Sequence, residues 1–357
     1  MISNANMSQL NRRRVVFITC ALLPISFVTA LAFGTINISI VDTLSSLLSV
    51  FSNSDEAQSR VDLVIQQIRL PRALLAAIVG ALLGMCGATT QGLFRNPLAD
   101  PSLIGVTAGA SAGAALAIFF VGSTGLSIGS FLGVSMGLGL VSIGSFIGGA
   151  IAVLVVYTLA SNTRGTSVAT MLLAGIAITA LASSLTNILE FFGDEETLRR
   201  ISLWRMGGLD GASYSRVFLA AIIGAIVMLI LPRYSTALNA LLLGESEARH
   251  LGLSVQSIKV SLILLVAAGV GASVALAGTI AFIGLIVPHI IRLLIGPDHR
   301  YLLPVSALGG ACLLLISDTI ARTIVSPIEL PVGIVTAILG APFFISLLRR
   351  RHEFGMR

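Results

Sequence analysis

Runs of about 20 apolar residues, enough to cross a ~30 Å hydrocarbon core as a helix, recur along the chain between short polar breaks. They fall near 15–35, 72–93, 102–121, 133–160, 168–190, 214–232, 257–277, 280–296, 303–321 and 331–348. The pattern predicts about ten crossings. The 133–160 run is long enough to tilt or bend. Pro288 interrupts one run, and Pro97 and Pro101 precede another, so local helix breaks are expected at both places.

The largest polar island in the second half is Pro232–Leu253. Within it, Ser235–Leu243 predicts a short helix stopped by Gly244, and Glu245–Leu251 a second stopped by Gly252. Glycine after each run fits a left-handed C-cap. A plain connector between two crossings would be shorter and would not carry Leu238, Leu241, Leu242 and Leu243. Two short helices with an apolar side and charged ends form a surface on which a soluble partner can push. A solvated connector is the simpler alternative.

Composition agrees with the pattern. Of 357 residues, 55% are hydrophobic and 11% charged, which excludes a water-soluble domain and marks a polytopic membrane protein. Glycine numbers 36 and aromatics only 6%, so small residues set the helix spacing. Glycines at 105, 109 and 113, and at 125, 129, 133 and 137, place a flat groove on one helix face, for close packing or along a substrate path. Cys20, Cys86 and Cys312 lie in apolar runs without metal-ligand spacing and read as packing residues. The pI near 9.9 does not point to nucleic acid, because the basic residues are scattered between apolar segments.

Those basic residues set the topology. With a cytoplasmic N-terminus, roughly 14 of them fall inside, including Arg12–Arg14, Arg95, Arg164, Arg249 and Arg357, and roughly 8 outside. Arg69, Arg72 and Arg322 are among the outer ones, with the acids Asp55, Glu56, Asp194, Glu195 and Glu196. Both termini are then cytoplasmic, with tails at 1–14 and 349–357 on a single permease domain spanning 1–357. Arg12–Arg14 before Val15–Phe33, with Ala30–Leu31–Ala32, looks like a signal peptide. The apolar run is longer than a signal core, so an uncleaved first helix is expected. Residues from about 257 onward echo the first half in having a proline-interrupted turn, which suggests a weak inverted repeat.

Several chemistries are absent. A phosphate-cradling loop needs Gly-Lys-Ser/Thr, and the only lysine is Lys259, preceded by Ile258. No metal motif is present and the four histidines are dispersed. Asp318 is the deepest acid; an i,i+4 pair with Arg322 is the plain account and a proton relay the sharper one. His289, beside Pro288, reads as a hydrogen-bonding or packing residue. Trp204 reads as an interface anchor just beyond the fifth run.

Taken together, the motifs resemble the iron-siderophore and cobalamin permease family of ABC importers over about residues 60–348. The matching stretches are Arg69-Leu70-Pro71-Arg72, Arg95-Asn96-Pro97-Leu98-Ala99-Asp100-Pro101 and Trp204-Arg205-Met206-Gly207-Gly208. Further on come Gly244-Glu245 with Ala248, Leu251 and Gly252, then Val287-Pro288-His289, Ala321-Arg322 and Glu329-Leu330-Pro331. The resemblance implies ten helices per subunit in a type II ABC importer permease fold, with two permease copies, identical or homologous, around a path. It implies two ATP-binding subunits at the inner loop 233–253, through Leu243, Gly244, Glu245, Ser246, Glu247, Ala248, Arg249, Leu251 and Gly252. A periplasmic binding protein would dock on Arg69, Arg72 and Arg322, and Arg95, Asn96, Pro97, Asp100, Pro101, Pro288 and His289 would be structural.

The expected function is therefore the inner-membrane permease subunit of an ATP-driven ferric-siderophore importer working by alternating access. The chain itself is no enzyme and binds no metal or cofactor; ATP and Mg²⁺ belong to the partner ATPase. Cobalamin or haem import by the same machine is the first rival. A proton-coupled transporter using Asp318 and a structural membrane scaffold are the others.

Overall fold

The computed structural model describes residues 2–36, 38–49, 60–123, 136–162 and 165–353. Asp55, Glu56, Arg164, Arg357 and the glycines at 125, 129 and 133 lie outside them. The chain begins with α1 (Ile2–Ala32), α2 (Ile40–Ser49), α3 (Arg60–Leu63, continued by a π-helical turn Val64–Arg69) and α4 (Leu70–Leu93). After a 3₁₀ turn, Pro101–Ile104, come α5 (Val106–Ser123), α6 (Met136–Ala160), strands β1 (Ser161–Asn162) and β2 (Gly165–Thr166), α7 (Val168–Phe192) and α8 (Glu195–Arg205). Then follow α9 (Tyr214–Ile230), a 3₁₀ turn Leu231–Tyr234, α10 (Ser235–Leu243), α11 (Glu245–His250), α12 (Val255–Ala277), α13 (Ile283–Ile295), α14 (His299–Thr323) and α15 (Val332–Glu353). The antiparallel β1–β2 pair is the one departure from an all-helical expectation among the described residues.

Each predicted run falls on a helix, but the lengths differ. Among the described residues, seven stretches are long and apolar enough to cross a membrane: Arg12–Ala32, Arg60–Leu93, Gly139–Ala160, Val168–Phe192, Tyr214–Leu243, Val255–Ala277 and His299–Thr323. Val106–Val121, Ile283–Ile295 and Val332–Ser346 are apolar but shorter. Two of these are shortened at their starts. The 3₁₀ turn takes residues ahead of α5, and 280–282 stay non-helical ahead of α13. Pro288 does not break its helix. It sits in the second turn of α13, where the missing N–H removes a single hydrogen bond, and the helix continues through it. The non-helical residues are 278–282 instead.

The single domain expected for 1–357 resolves into two compact units, each built from separated pieces of chain. One comprises Met1–Ala88, Leu209–Ala225 and Ala281–Arg357; the other comprises Thr89–Gly208 and Ile226–Ile280. Helix-to-helix contact groups the pieces rather than sequence order, so the units do not coincide with the two halves of the suggested repeat.

In the first unit α14 is the hub, packed on α1, α13 and α15. Its Ser306–Gly310 stretch also lies backbone to backbone with α4. A Cβ on Gly80 would stand 2.3 Å from the Gly310 carbonyl oxygen, and one on Gly84 would stand 2.1 Å from that of Ser306. Glycine at both positions is what permits the approach.

In the second unit α5 meets α6 in the same manner. A Cβ on Gly109 would stand 2.5 Å from the Gly148 oxygen, and one on Gly113 would stand 2.1 Å from that of Gly144. The glycine groove is thus a packing seam at 109 and 113, while Gly105 ends the preceding 3₁₀ turn at φ +79°. Trp204 packs against a core of Ala114, Ala115, Ile118, Val141, Leu189 and Ile201, which makes it a packing residue at least in part.

Candidate functional site

The island Pro232–Leu253 folds into the two short helices expected. Pro232 is the second residue of the 3₁₀ turn Leu231–Tyr234 that leads directly into α10. Leu238 and Leu241 of α10 are buried, as is Ala248 of α11, and they fix the pair against its unit. Leu242, Leu243 and Leu251 are left outward, with Leu243 69% and Leu251 65% exposed. The apolar side read from sequence is therefore divided between anchoring and display. Ser246, Glu247, Arg249 and His250 are exposed around the displayed leucines.

The two glycine stops differ. Gly252 has φ +82°, its N–H donates to Arg249 O at 2.9 Å, and Leu253 N–H donates to Ala248 O at 3.2 Å. This crossed pair of bonds is a Schellman motif. Gly244 has φ +132° and ψ 155°, outside the left-handed helical region in which a C-cap was expected. It serves both helices, ending α10 and starting α11, and the bare Cα leaves room for Glu247. A Cβ there would lie 2.1 Å from the Glu247 Oε2. Glu245, the first residue of α11, forms an ion pair with Lys259 of α12 at 2.5 Å.

Arg69, Arg72 and Arg322 do converge, in the first unit, but they are not exposed. Their accessibilities are 4%, 8% and 4%. Arg69 Nη1 donates to Leu31 O (2.6 Å) and Ala32 O (2.8 Å), and its Nη2 donates to Ile36 O. Arg322 Nη2 donates to Ala30 O at 2.8 Å. Ala30, Leu31 and Ala32 lie in the last turn of α1, where carbonyls gain no partner from a further turn, and Ile36 lies four residues beyond its end. Asp318 is held from two sides, by Arg72 Nη2 at 3.0 Å and Arg322 Nε at 3.0 Å, and Arg72 Nη1 also meets Glu329 at 2.6 Å. The i,i+4 pair is present, and a third residue joins it. The exposure expected of these charges is therefore corrected: their guanidiniums bond carbonyls at and beyond the end of α1 and carboxylates within the chain. Both Asp318 oxygens accept from guanidinium groups.

The Arg95–Pro101 segment forms the rigid break expected of it. Arg95 adopts φ +50°, Asn96 Oδ1 accepts from Leu98 N–H at 3.0 Å, and Asp100 caps the 3₁₀ turn by accepting from Ser102 N–H at 2.8 Å. Pro101 occupies the first turn, where a missing N–H is harmless. His289 is buried in α13 with its ring edge-on to Phe343, a packing position. Among the described residues no cluster of His, Cys, Asp and Glu could hold a metal.

The model of the FecCD transport family matches residues 22–350. The chain belongs to the FecCD transport family. It is 45% identical over 292 residues to the hemin transport system permease HmuU of Yersinia pestis, covering 80% of this chain and 83% of that one. It is 42% identical over 289 residues to the cobalamin import permease BtuC of Halobacterium salinarum, covering 81% and 74%. A solved metal-chelate type ABC transporter in an inward-facing conformation superposes with a TM-score of 0.80 at 32% identity, over 95% of this chain and 99% of its own. This FecCD chain is thus a transport permease subunit of an ABC importer, multi-pass in the inner membrane, with ATPase activity carried by a separate chain.

Sequence reasoning misses Lys259, which bonds Glu245 of α11, Gln256 and Thr166, which join α12 to β2 beside it, and Glu329, which completes the arginine cluster. Lys259 was visible as the only lysine, but its partners at 166 and 245 follow no local spacing.

Proposed function

We propose that this FecCD permease is one half of the membrane path of an ATP-driven importer for a bulky metal chelate. The observation that carries this reading is the displayed face of α10–α11, where Leu242, Leu243 and Leu251 stand exposed among charged residues at a glycine-bounded corner. Exposed leucines ringed by polar groups suit a protein partner. In this reading an ATPase dimer, using its own ATP and Mg²⁺, presses there and a second permease copy completes the path.

Helix α7 supports the second copy. It spans the membrane yet leaves Ser183, Ser184 and Asn187 exposed. Polar side chains in a spanning helix face water or protein rather than lipid. A soluble binding protein delivers the chelate at the outer face. Arg69, Arg72 and Arg322 enter this picture as the knot holding the end of α1.

The cargo implied by the resemblance is a ferric siderophore. The relatives named for hemin and cobalamin favour a ring-bound metal as strongly, and haem is the first cargo to test. Cells lacking other iron uptake and expressing the complete importer should take up one of the three chelates, with unlabelled cargo competing. Uptake of none, with all subunits assembled, overturns the chelate reading.

A further inference from the structure

Among its described residues, the second unit holds one buried cation that the transport reading has not used. Lys259 sits in the second turn of α12 with its side chain 4% exposed. A cation near a helix N-terminus opposes the helix dipole, so its placement needs compensation. That comes from two directions: the Glu245 carboxylate on α11 at 2.5 Å, and the Thr166 carbonyl on β2, to which Nζ donates at 2.9 Å. One turn earlier on α12, Gln256 grips the same strand residue. Its Oε1 accepts from Thr166 N–H at 3.0 Å, and its Nε2 donates to Thr166 Oγ1. Beyond Thr166 the next residue, Ser167, caps α7 and donates its N–H to Ala160 O, the last residue of α6, at 2.9 Å. A polar cavity of about 540 Å³ lies over the junction, lined among others by Glu245, Arg249, Gln256 and Lys259.

We infer that Lys259 is a positioning residue for energy coupling, a latch that ties the first residue of α11 to β2 and so to the start of α7. The inference rests on the reading that α10–α11 receives the ATPase. Buried ion pairs are poor stabilisers compared with apolar residues of equal size, because desolvation offsets most of the attraction. What such a pair does supply is a directional link between separate elements. Glu245 is one-third exposed while Lys259 is enclosed, so a push that displaces α11 acts on the carboxylate end of the link. Helix α11 is six residues long and bounded by Gly244 and Gly252, so it moves as a piece. The polar cavity gives the ion pair room to change its geometry without meeting packed side chains. Thr166 carries the displacement into α7, the helix that leaves Ser183, Ser184 and Asn187 uncovered.

The test uses the complete importer in proteoliposomes and reads chelate imported per ATP hydrolysed, beside co-purification of the ATPase. Lys259→Met keeps length and removes charge; Glu245→Gln keeps shape and removes charge. Each should lower the import-to-hydrolysis ratio about tenfold or more while the ATPase still co-purifies, and Lys259→Arg should restore part of it. The double variant should be no worse than either single one, because both break one link. A wild-type ratio in assembled Glu245→Gln importer overturns the latch, and Glu245→Gln remains decisive if Lys259→Met does not fold. A control separates the two claims. Leu243→Glu should abolish ATPase co-purification; if it does not, the docking reading fails, and the latch with it.

Discussion

Charge is used in opposite ways in the two units. In the first, Arg69, Arg72, Arg322 and Asp318 are nearly sealed, and their donors and acceptors are spent on one another and on the carbonyls closing α1. In the second, Glu247, Arg249 and His250 stand exposed beside Leu243 and Leu251, and one enclosed lysine ties the group to its support. Sealed charge fixes a structure, whereas displayed charge around displayed leucine is a surface awaiting a partner. Position on a loop or helix end would have classed both alike; burial separates them.

The contrast breaks most forcefully at Asp318. Asp318→Leu would leave Arg72 and Arg322 enclosed without their shared carboxylate, and loss of one partner from a buried pair costs about 3–5 kcal/mol. The detergent-purified variant should unfold at markedly lower temperature, and an unchanged midpoint would remove the structural role given to the cluster.

Arg69→Ala is next. It strips the donors from the Leu31 and Ile36 carbonyls, at about 1–3 kcal/mol for each group left unsatisfied, while Ala32 O keeps the Ile38 N–H at 3.2 Å. The loss should be the same at 0.1 M and 1 M salt, because screening acts on exposed charge. A salt-dependent change in binding-protein affinity with no change in stability would restore the exposed docking role.

A smaller effect is expected in the second unit at Gly252→Ala. Forcing a side chain into the left-handed region costs roughly 1–2 kcal/mol, felt locally as fraying of α11. Faster amide exchange at Gly252 and Leu253 would register it.

The smallest concerns Asp194, which caps α8 by accepting from Thr197 N–H at 2.9 Å. Hydrogen bonds from the Thr197 hydroxyl and backbone hold its carboxyl below the ordinary carboxylate value. The cap is therefore intact above the ordinary carboxylate pKa and is lost as pH falls through the lowered one. Exchange protection at Thr197 should follow that acid limb and vanish in Asp194→Ala; a pH-independent amide would contradict the cap.

Much of this was legible in sequence because the signals are local. Apolar run length located the helices, glycine marked both ends of α11, the two prolines announced the turn before α5, and Asp318 with Arg322 showed helical spacing. What escaped is what pairs across the chain. Nothing near Arg72 in sequence names Asp318, so its burial is not legible there and the position reads as an exposed charge. The β1–β2 pair is only two residues per strand, too short for an alternating pattern. Pro288 was read as a breaker because composition does not reveal how far into a helix a proline falls.

The arginine knot also has a consequence in time. Arg72 lies 246 residues before Asp318 and 257 before Glu329. At about 5–20 residues per second of synthesis, the first of those partners emerges roughly 10–50 s later. Until then α4 sits in the bilayer with the Arg72 guanidinium uncompensated, which weighs about 2.5–3.5 kcal/mol against insertion if drawn to the helix centre. Arg72 is near the start of the apolar run, where a long side chain reaches headgroup phosphates. The newborn chain thus borrows lipid as a counterion, and arrival of α14 replaces that loan with protein.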